Sequence, residues 1–291
     1  MNFVNKRHLG ALYLAMAASI WGGMYVVSKM ELEVIRPLEL VWLRYVIAFA
    51  SLVILGVLSR QSWKIRKSDF LLIASIGIIG YVVSIYAQFL GTKLSSAQMG
   101  AVITSATPAF MVLFARLLIG ERITWRKALS VALATCGVLL IVGFGDLSRS
   151  YQLGGLVLGI AALTWALMSV LIKRVPSDYS QIVVTAYAIF IAVIALTPFV
   201  SPQLQQTIAL WSHPWILGGL LYLGILSTAV AFFLWNKGLQ LVDTASGSLY
   251  FFFQPVVGTF LGWVIMGEKV SFSFWIGFAL ILSGVTLVTR A

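Results

Sequence analysis

Apolar residues in this chain do not recur with the period of an amphipathic helix. They run almost unbroken for about twenty residues at a time and stop at short polar or charged interruptions. Ten such runs are legible, at 9–29, 37–58, 69–91, 95–119, 125–144, 153–173, 181–200, 214–237, 243–266 and 272–290. A helix rising 1.5 Å per residue needs about 20 apolar residues to cross the hydrocarbon core of a bilayer. Inside lipid the backbone must satisfy its own hydrogen bonds, so each run is predicted as a helix. Pro37 fits this reading, because its missing N–H costs nothing in a first helical turn. The connections are short, and no stretch has the look of a soluble domain or a linker. The predicted fold class is therefore an all-α polytopic membrane protein with ten transmembrane helices.

Charge sets the orientation. With the N-terminus placed in the cytoplasm, the inside segments hold 13 of the 20 Lys and Arg residues and the outside segments hold 5, with Arg44 and Arg116 falling within runs. By the positive-inside rule this puts both termini in the cytoplasm of a multi-pass protein of the plasma (inner) membrane.

The two halves resemble each other. At an offset of 144, Leu9-Gly10-Ala11-Leu12 meets Leu153-Gly154-Gly155-Leu156, Trp21 meets Trp165 and Lys29 meets Lys173. Further on the offset becomes 147, pairing Gly77 with Gly224, Gly91 with Gly238, Gly100 with Gly247, Pro108 with Pro255, and Gly120-Glu121 with Gly267-Glu268. Five spans per copy is an odd number, so the second copy enters the membrane from the opposite side. Two domains are expected, spans 1–5 over residues 1–147 and spans 6–10 over 148–291, as inverted five-helix repeats around a shared midplane site.

Composition agrees. Of the 291 residues, 60% are hydrophobic and only 10% charged, against roughly 25% charged in a soluble domain. The net charge of +11 sits in the loops, where it reads as topology control and not as a nucleic-acid surface. Cys136 is alone within an apolar run and reads as a small packing residue, while His8 and His213 lie near span ends without a second ligand, so no metal and no cofactor is expected. The apolar run after the short basic start is too long for a signal-peptide core and reads as the first span.

Three groups of residues carry a family likeness: the paired Ala18-Ser19-Ile20-Trp21-Gly22 and Ala162-Leu163-Thr164-Trp165-Ala166; Trp42-Leu43-Arg44-Tyr45; and the spans running from Thr107-Pro108 to Gly120-Glu121-Arg122 and from Gln254-Pro255 to Gly267-Glu268-Lys269. In these the chain resembles the ten-span EamA-type permeases of the drug/metabolite transporter superfamily. The resemblance covers essentially the whole chain. It implies a compact bundle with a central cavity and efflux of metabolites, amino acids or drugs.

Polar residues inside the runs are the candidate substrate-binding groups. Arg44 lies seven residues into its span, where a guanidinium can hold a carboxylate through two parallel hydrogen bonds. The structural alternative is pairing with Glu39 or a backbone carbonyl. Trp21 and Trp165 are repeat-matched, and Tyr81, Gln88, Tyr187, Tyr250 and Gln254 lie within spans. Thr104, Ser105 and Thr107 surround the kink expected at Pro108. All nine acids sit in loops or near span ends. That argues against a cationic-drug pump with a mid-membrane carboxylate, and favours facilitated diffusion or coupling by another route. Glu121 and Glu268 are expected to brace span ends. The GxxxG spacings at Gly155–Gly159 and Gly258–Gly262 are expected to pack helices within the bundle.

The leading expectation is a monomeric exporter of small metabolites, amino acids first, with the lipid bilayer and a small-molecule substrate as its partners. Multidrug or cationic-compound efflux is the alternative. Transport of phosphorylated or nucleotide sugars is weaker, since Arg44 alone supplies mid-span charge. A membrane enzyme is weaker still, because the sequence holds no HExxH, no GxSxG and no acidic metal cluster.

Overall fold

The computed structural model describes residues 3–120, 124–143, 148–172, 174–176, 178–200, 212–241, 250–268 and 272–289. All regular structure among these is helical. In chain order the helices are α1 (Phe3–Glu31), α2 (Pro37–Leu58), α3 (Lys67–Leu94), α4 (Ala97–Thr104), α5 (Thr107–Ile119), α6 (Trp125–Gly143), α7 (Arg149–Ile172), α8 (Gln181–Leu196), α9 (214–241), α10 (Phe253–Met266) and α11 (Phe272–Thr289). Seven segments among the described residues are long and apolar enough to cross a membrane, and Phe253–Met266 and Phe274–Gly284 are shorter apolar helices. Large apolar side chains such as Leu58, Leu71, Leu117 and Phe272 are three-quarters exposed or more, as a lipid-facing surface requires. This is an integral membrane protein. Cys136, expected in packing, is exposed instead.

Two features interrupt the helices. The predicted run 95–119 is broken at Ser105–Ala106 into α4 and α5, slightly ahead of the expected kink at Pro108. Pro108 has no N–H for the Thr104 carbonyl, and the Thr107 hydroxyl donates to that carbonyl at 2.7 Å in its place. α3 and α9 each contain a nine-residue π-helical stretch, Ile76–Ser84 and Tyr222–Val230. A π turn shifts the ladder by one residue and re-aims the side chains that follow.

Glycines allow the closest helix contacts, and the contacts come in matched pairs. A β-carbon built on Gly91 of α3 would lie 2.6 Å from Leu158 and 2.8 Å from the Gly154 carbonyl of α7. One built on Gly238 of α9 would lie 2.6 Å from Leu14 and 3.1 Å from the Gly10 carbonyl of α1. Gly77 meets the Ala188 carbonyl at 2.6 Å, and Gly224 meets the Arg44 carbonyl at 3.1 Å. Gly22 of α1 packs on α10, where an added β-carbon would be 2.7 Å from the Gln254 carbonyl.

The two ends of the bundle are built differently. At one end Lys29 Nζ donates to the carbonyls of Thr92, Lys93 and Ser95 at 3.0, 2.9 and 2.7 Å, neutralising the C-terminus of α3. The Glu268 carboxylate accepts from the amides of Ala97 and Gln98 at 2.7 and 3.0 Å, capping α4 beside its N-cap Ser96. The bracing role expected of Glu268 is thus present. Its sequence partner Glu121 and the repeat-matched Lys173 lie outside the described residues. At the other end Arg66 bonds Asp178 at 2.6 Å beside an open vestibule of about 730 Å³ lined by Gln61, Lys64, Tyr179, Gln181 and Lys237.

These close approaches make a direct prediction. Gly22→Val is expected to destabilise the detergent-solubilised protein by about 1–3 kcal/mol through overpacking. Gly159→Val, where an added β-carbon meets nothing within 4 Å, is expected to leave the thermal transition unchanged.

Candidate functional site

Side chains from eight helices and the turn before α10 converge on a cavity in the middle of the bundle. It is lined by Trp21, Met24, Tyr25, Arg44, Ser84, Ile85, Gln88, Thr104, Thr107, Ala161, Trp165, Phe232, Phe251 and Gln254. The cavity is small, with room for about 30 Å³ of water-sized occupancy.

Arg44 is its one charge, and it is completely buried. Its hydrogen bonds among the described residues go to two hydroxyls and a thioether. Its Nε and Nη2 donate to Thr228 Oγ1 at 3.0 and 2.6 Å, and Nη2 also reaches Ser227 Oγ at 3.2 Å. The π stretch of α9 explains why two hydroxyls can hold a cation. Ser227 Oγ and Thr228 Oγ1 both donate to the Leu223 carbonyl, at 3.1 and 2.7 Å. Both hydroxyl protons are thereby spent, and the oxygen lone pairs are left for the guanidinium. Nη1 is less well served. Its acceptor is the Met24 thioether at 3.5 Å, a weak one, with the Phe89 ring 5.1 Å from the guanidinium carbon. Arg44 is anchored on one edge and underused on the other.

A second polar group faces it. Thr104 Oγ1 donates to the Gly100 carbonyl at 2.7 Å, so in its 2.5 Å contact with Tyr25 the phenol is the donor. The Tyr25 oxygen in turn accepts from Gln88 Nε2, and Thr104 accepts from Gln254 Nε2 at 2.8 Å. Every proton in this chain runs one way. It leaves Gln88 Oε1 as a buried acceptor with no partner.

The apolar wall is aromatic. Trp21 meets Trp165 edge-to-face with centroids 6.3 Å apart, and lies 5.9 Å from Phe232, 5.2 Å from Trp235 and 5.9 Å from Phe251. Its indole N–H donates to the Ser227 carbonyl at 3.0 Å, so the same π stretch positions both Trp21 and Arg44.

Of the sequence candidates, Trp21, Arg44, Gln88, Trp165 and Gln254 come together in the cavity lining. Tyr81 stands one layer back, stacked on Phe232 at 5.4 Å. Tyr187 is elsewhere, donating to the Trp63 carbonyl at 3.1 Å and lining a separate surface groove. Tyr250 stacks on the half-exposed Phe253 and is not part of the lining. Sequence reasoning did not name Ser227, Thr228, Met24, Ser84 or Phe232. Adjacent hydroxyls in mid-span were the available signal, since in lipid each must find a partner.

An all-helical membrane bundle with a central polar-and-aromatic cavity and an open vestibule at one end is the architecture of a membrane transporter. The comparisons agree. The chain belongs to the EamA-like transporter family, whose sequence profile matches it twice, over residues 8–143 and 152–290. It is similar to the permease-like protein YdzE of Bacillus subtilis, 63% identical over 70 residues, which is 24% of this chain and 90% of that protein. It is also similar to an uncharacterized transporter of Archaeoglobus fulgidus, 27% identical over 284 residues and covering 96% of this chain and 98% of that one. A crystal structure at 24% identity shares the fold, with a TM-score of 0.66 over 97% of this chain and 96% of the other.

Removing the Thr228 hydroxyl tests the anchoring of Arg44. Thr228→Val is expected to cost about 1–3 kcal/mol, because it strands buried donors, whereas Thr228→Ser keeps the acceptor and stays near wild type. Unfolding midpoints in detergent read the difference.

Proposed function

We propose that the protein exports small amphipathic metabolites, amino acids first among them, by alternating access through the central cavity. The observation that carries this reading is the pairing, in one aromatic-walled cavity, of a guanidinium edge held only by a thioether with an unpartnered amide oxygen. A carboxylate suits Arg44 Nη1 and an ammonium suits Gln88 Oε1, while the rings accept an apolar side chain or stabilise the cation. The zwitterion thus satisfies both groups without adding net charge to the membrane interior. A purely cationic drug would meet Arg44 as a like charge with no acid to offset it. A phosphorylated sugar would bring more negative charge than one guanidinium balances. Membership of a transporter family favours transport over catalysis.

In this reading the chain has ten spans in two inverted repeats, 1–147 and 148–291. The matched glycine contacts support it: Gly91 on α7 has its counterpart in Gly238 on α1, and Gly77 on Ala188 in Gly224 on Arg44. Each repeat lends its helices to the other, which is how inverted repeats build a shared site. The protein sits as a monomer in the plasma membrane with both termini cytoplasmic. Loops 59–67 and 173–181 are basic, so the vestibule faces the cytoplasm and the end held by Lys29 and Glu268 faces out. Such a form takes its substrate from inside the cell.

Reconstituted in liposomes, the protein is expected to give saturable exchange of a zwitterionic amino acid. Arg44→Lys, Arg44→Ala and Gln88→Leu are each expected to lower flux about tenfold or more while the protein stays folded. An absence of flux for every amino acid in a full panel, or flux unaffected by Arg44→Ala, overturns the substrate assignment.

A further inference from the structure

The end closed by Lys29 and Glu268 contains a carboxyl group that neither the cavity nor the clamp uses. Glu31 closes α1, and only 1% of its surface is exposed. It lies against Gly219 of α9 so closely that a β-carbon there would fall 1.9 Å from Oε1. Oε2 is buried without a hydrogen-bond partner, and no ion pair reaches the group among the described residues.

The charged and titratable groups around it are otherwise occupied or of the wrong sign. On its own helix and corner, Lys29 is committed to the carbonyls at 92–95, and Glu33 is acidic. Arg36 precedes α2 and forms no ion pair with Glu31, and Glu39 on α2 is itself a buried acid. On α9, His213 is exposed at the N-cap, and the Tyr222 hydroxyl donates to the Ile20 carbonyl at 2.7 Å. Glu268, beyond α10, holds the amides of α4, and Lys93 is exposed at the end of α3.

A carboxylate with no ion pair and one oxygen buried without a donor is more costly than the neutral acid, and such a group takes up a proton instead. Once α1 and α9 part, water reaches the carboxyl and the charged form becomes the stable one. We propose that Glu31 is a proton-binding site coupled to the opening of this end: it holds a proton while α1 is packed on Gly219 and releases it to that side's water when the two separate. The fit at Gly219 is what makes occupancy depend on conformation, because closure excludes the water that ionisation needs. This inference stands apart from the identity of the metabolite.

Hydrogen exchange of the full chain in lipid nanodiscs tests it without a substrate. After correction for chemical exchange rates, amides of 30–36 and 215–221 are expected to exchange about tenfold faster at about pH 8.5 than at about pH 5.5, since deprotonation favours the open form. Glu31→Gln is expected to abolish that difference and keep exchange slow at both values. Glu31→Met, neutral and of similar volume, serves where the amide variant does not fold. His213→Gln and Glu39→Gln are expected to retain the wild-type response. The proposal is overturned by pH-independent exchange in the wild type, by a response that survives both neutral substitutions at Glu31, or by its loss on either control.

Discussion

Hydrocarbon offers no hydrogen bonds, and the polar architecture of this protein follows from that constraint. At several places where the helical ladder is broken or ends, a side chain replaces the missing partner. Thr107 supplies the donor that Pro108 lacks, Lys29 gathers three terminal carbonyls of α3, and Glu268 covers two free amides of α4. Arg44 obeys the same rule from the opposite direction. A buried cation needs lone pairs, and the π stretch of α9 provides them by directing two hydroxyl protons onto one carbonyl. Among the places where the accounting does not close, Arg44 Nη1, Gln88 Oε1 and Glu31 leave the molecule chemistry in reserve.

The distinction between the two ends follows from the same rule. One end is sealed by charge placed on helix termini, which ties α1, α3, α4 and the residues after α10 into a single corner. The other is joined by a largely exposed cluster in which Arg66 reaches Asp178, Asp69 and Tyr179, and ion pairs of that kind contribute little in water.

How much of this was legible in the sequence depends on which physical signal each feature leaves. Helices such as Pro37–Leu58 and Gln181–Leu196 are announced by hydropathy, since spanning a bilayer needs a sustained apolar run and nothing subtler. Trp21, Trp165, Arg44, Gln88 and Gln254 stood out because polar and aromatic groups at matched mid-span positions are expensive to place idly. Tyr187 and Tyr250 had the same appearance in one dimension. Which face of a helix a tyrosine occupies depends on packing, and Trp63 and Phe253 claimed them. The π stretches leave no mark, because a one-residue shift in hydrogen-bond register does not alter composition. Glu31 looked like an ordinary end-of-span acid. Its burial is decided by a glycine 188 positions away.

The matched glycines carry a consequence for how such a molecule diversifies. At the offset that brings Trp21 onto Trp165, Arg44 falls on Ala188, whose carbonyl merely receives Gly77. The scaffold is doubled but the guanidinium is single, so the binding chemistry has a handedness that the backbone lacks. Under the proposed transport reading a ligand docks in one orientation only, and selection can reshape the recognition half while the other copy preserves the mechanics.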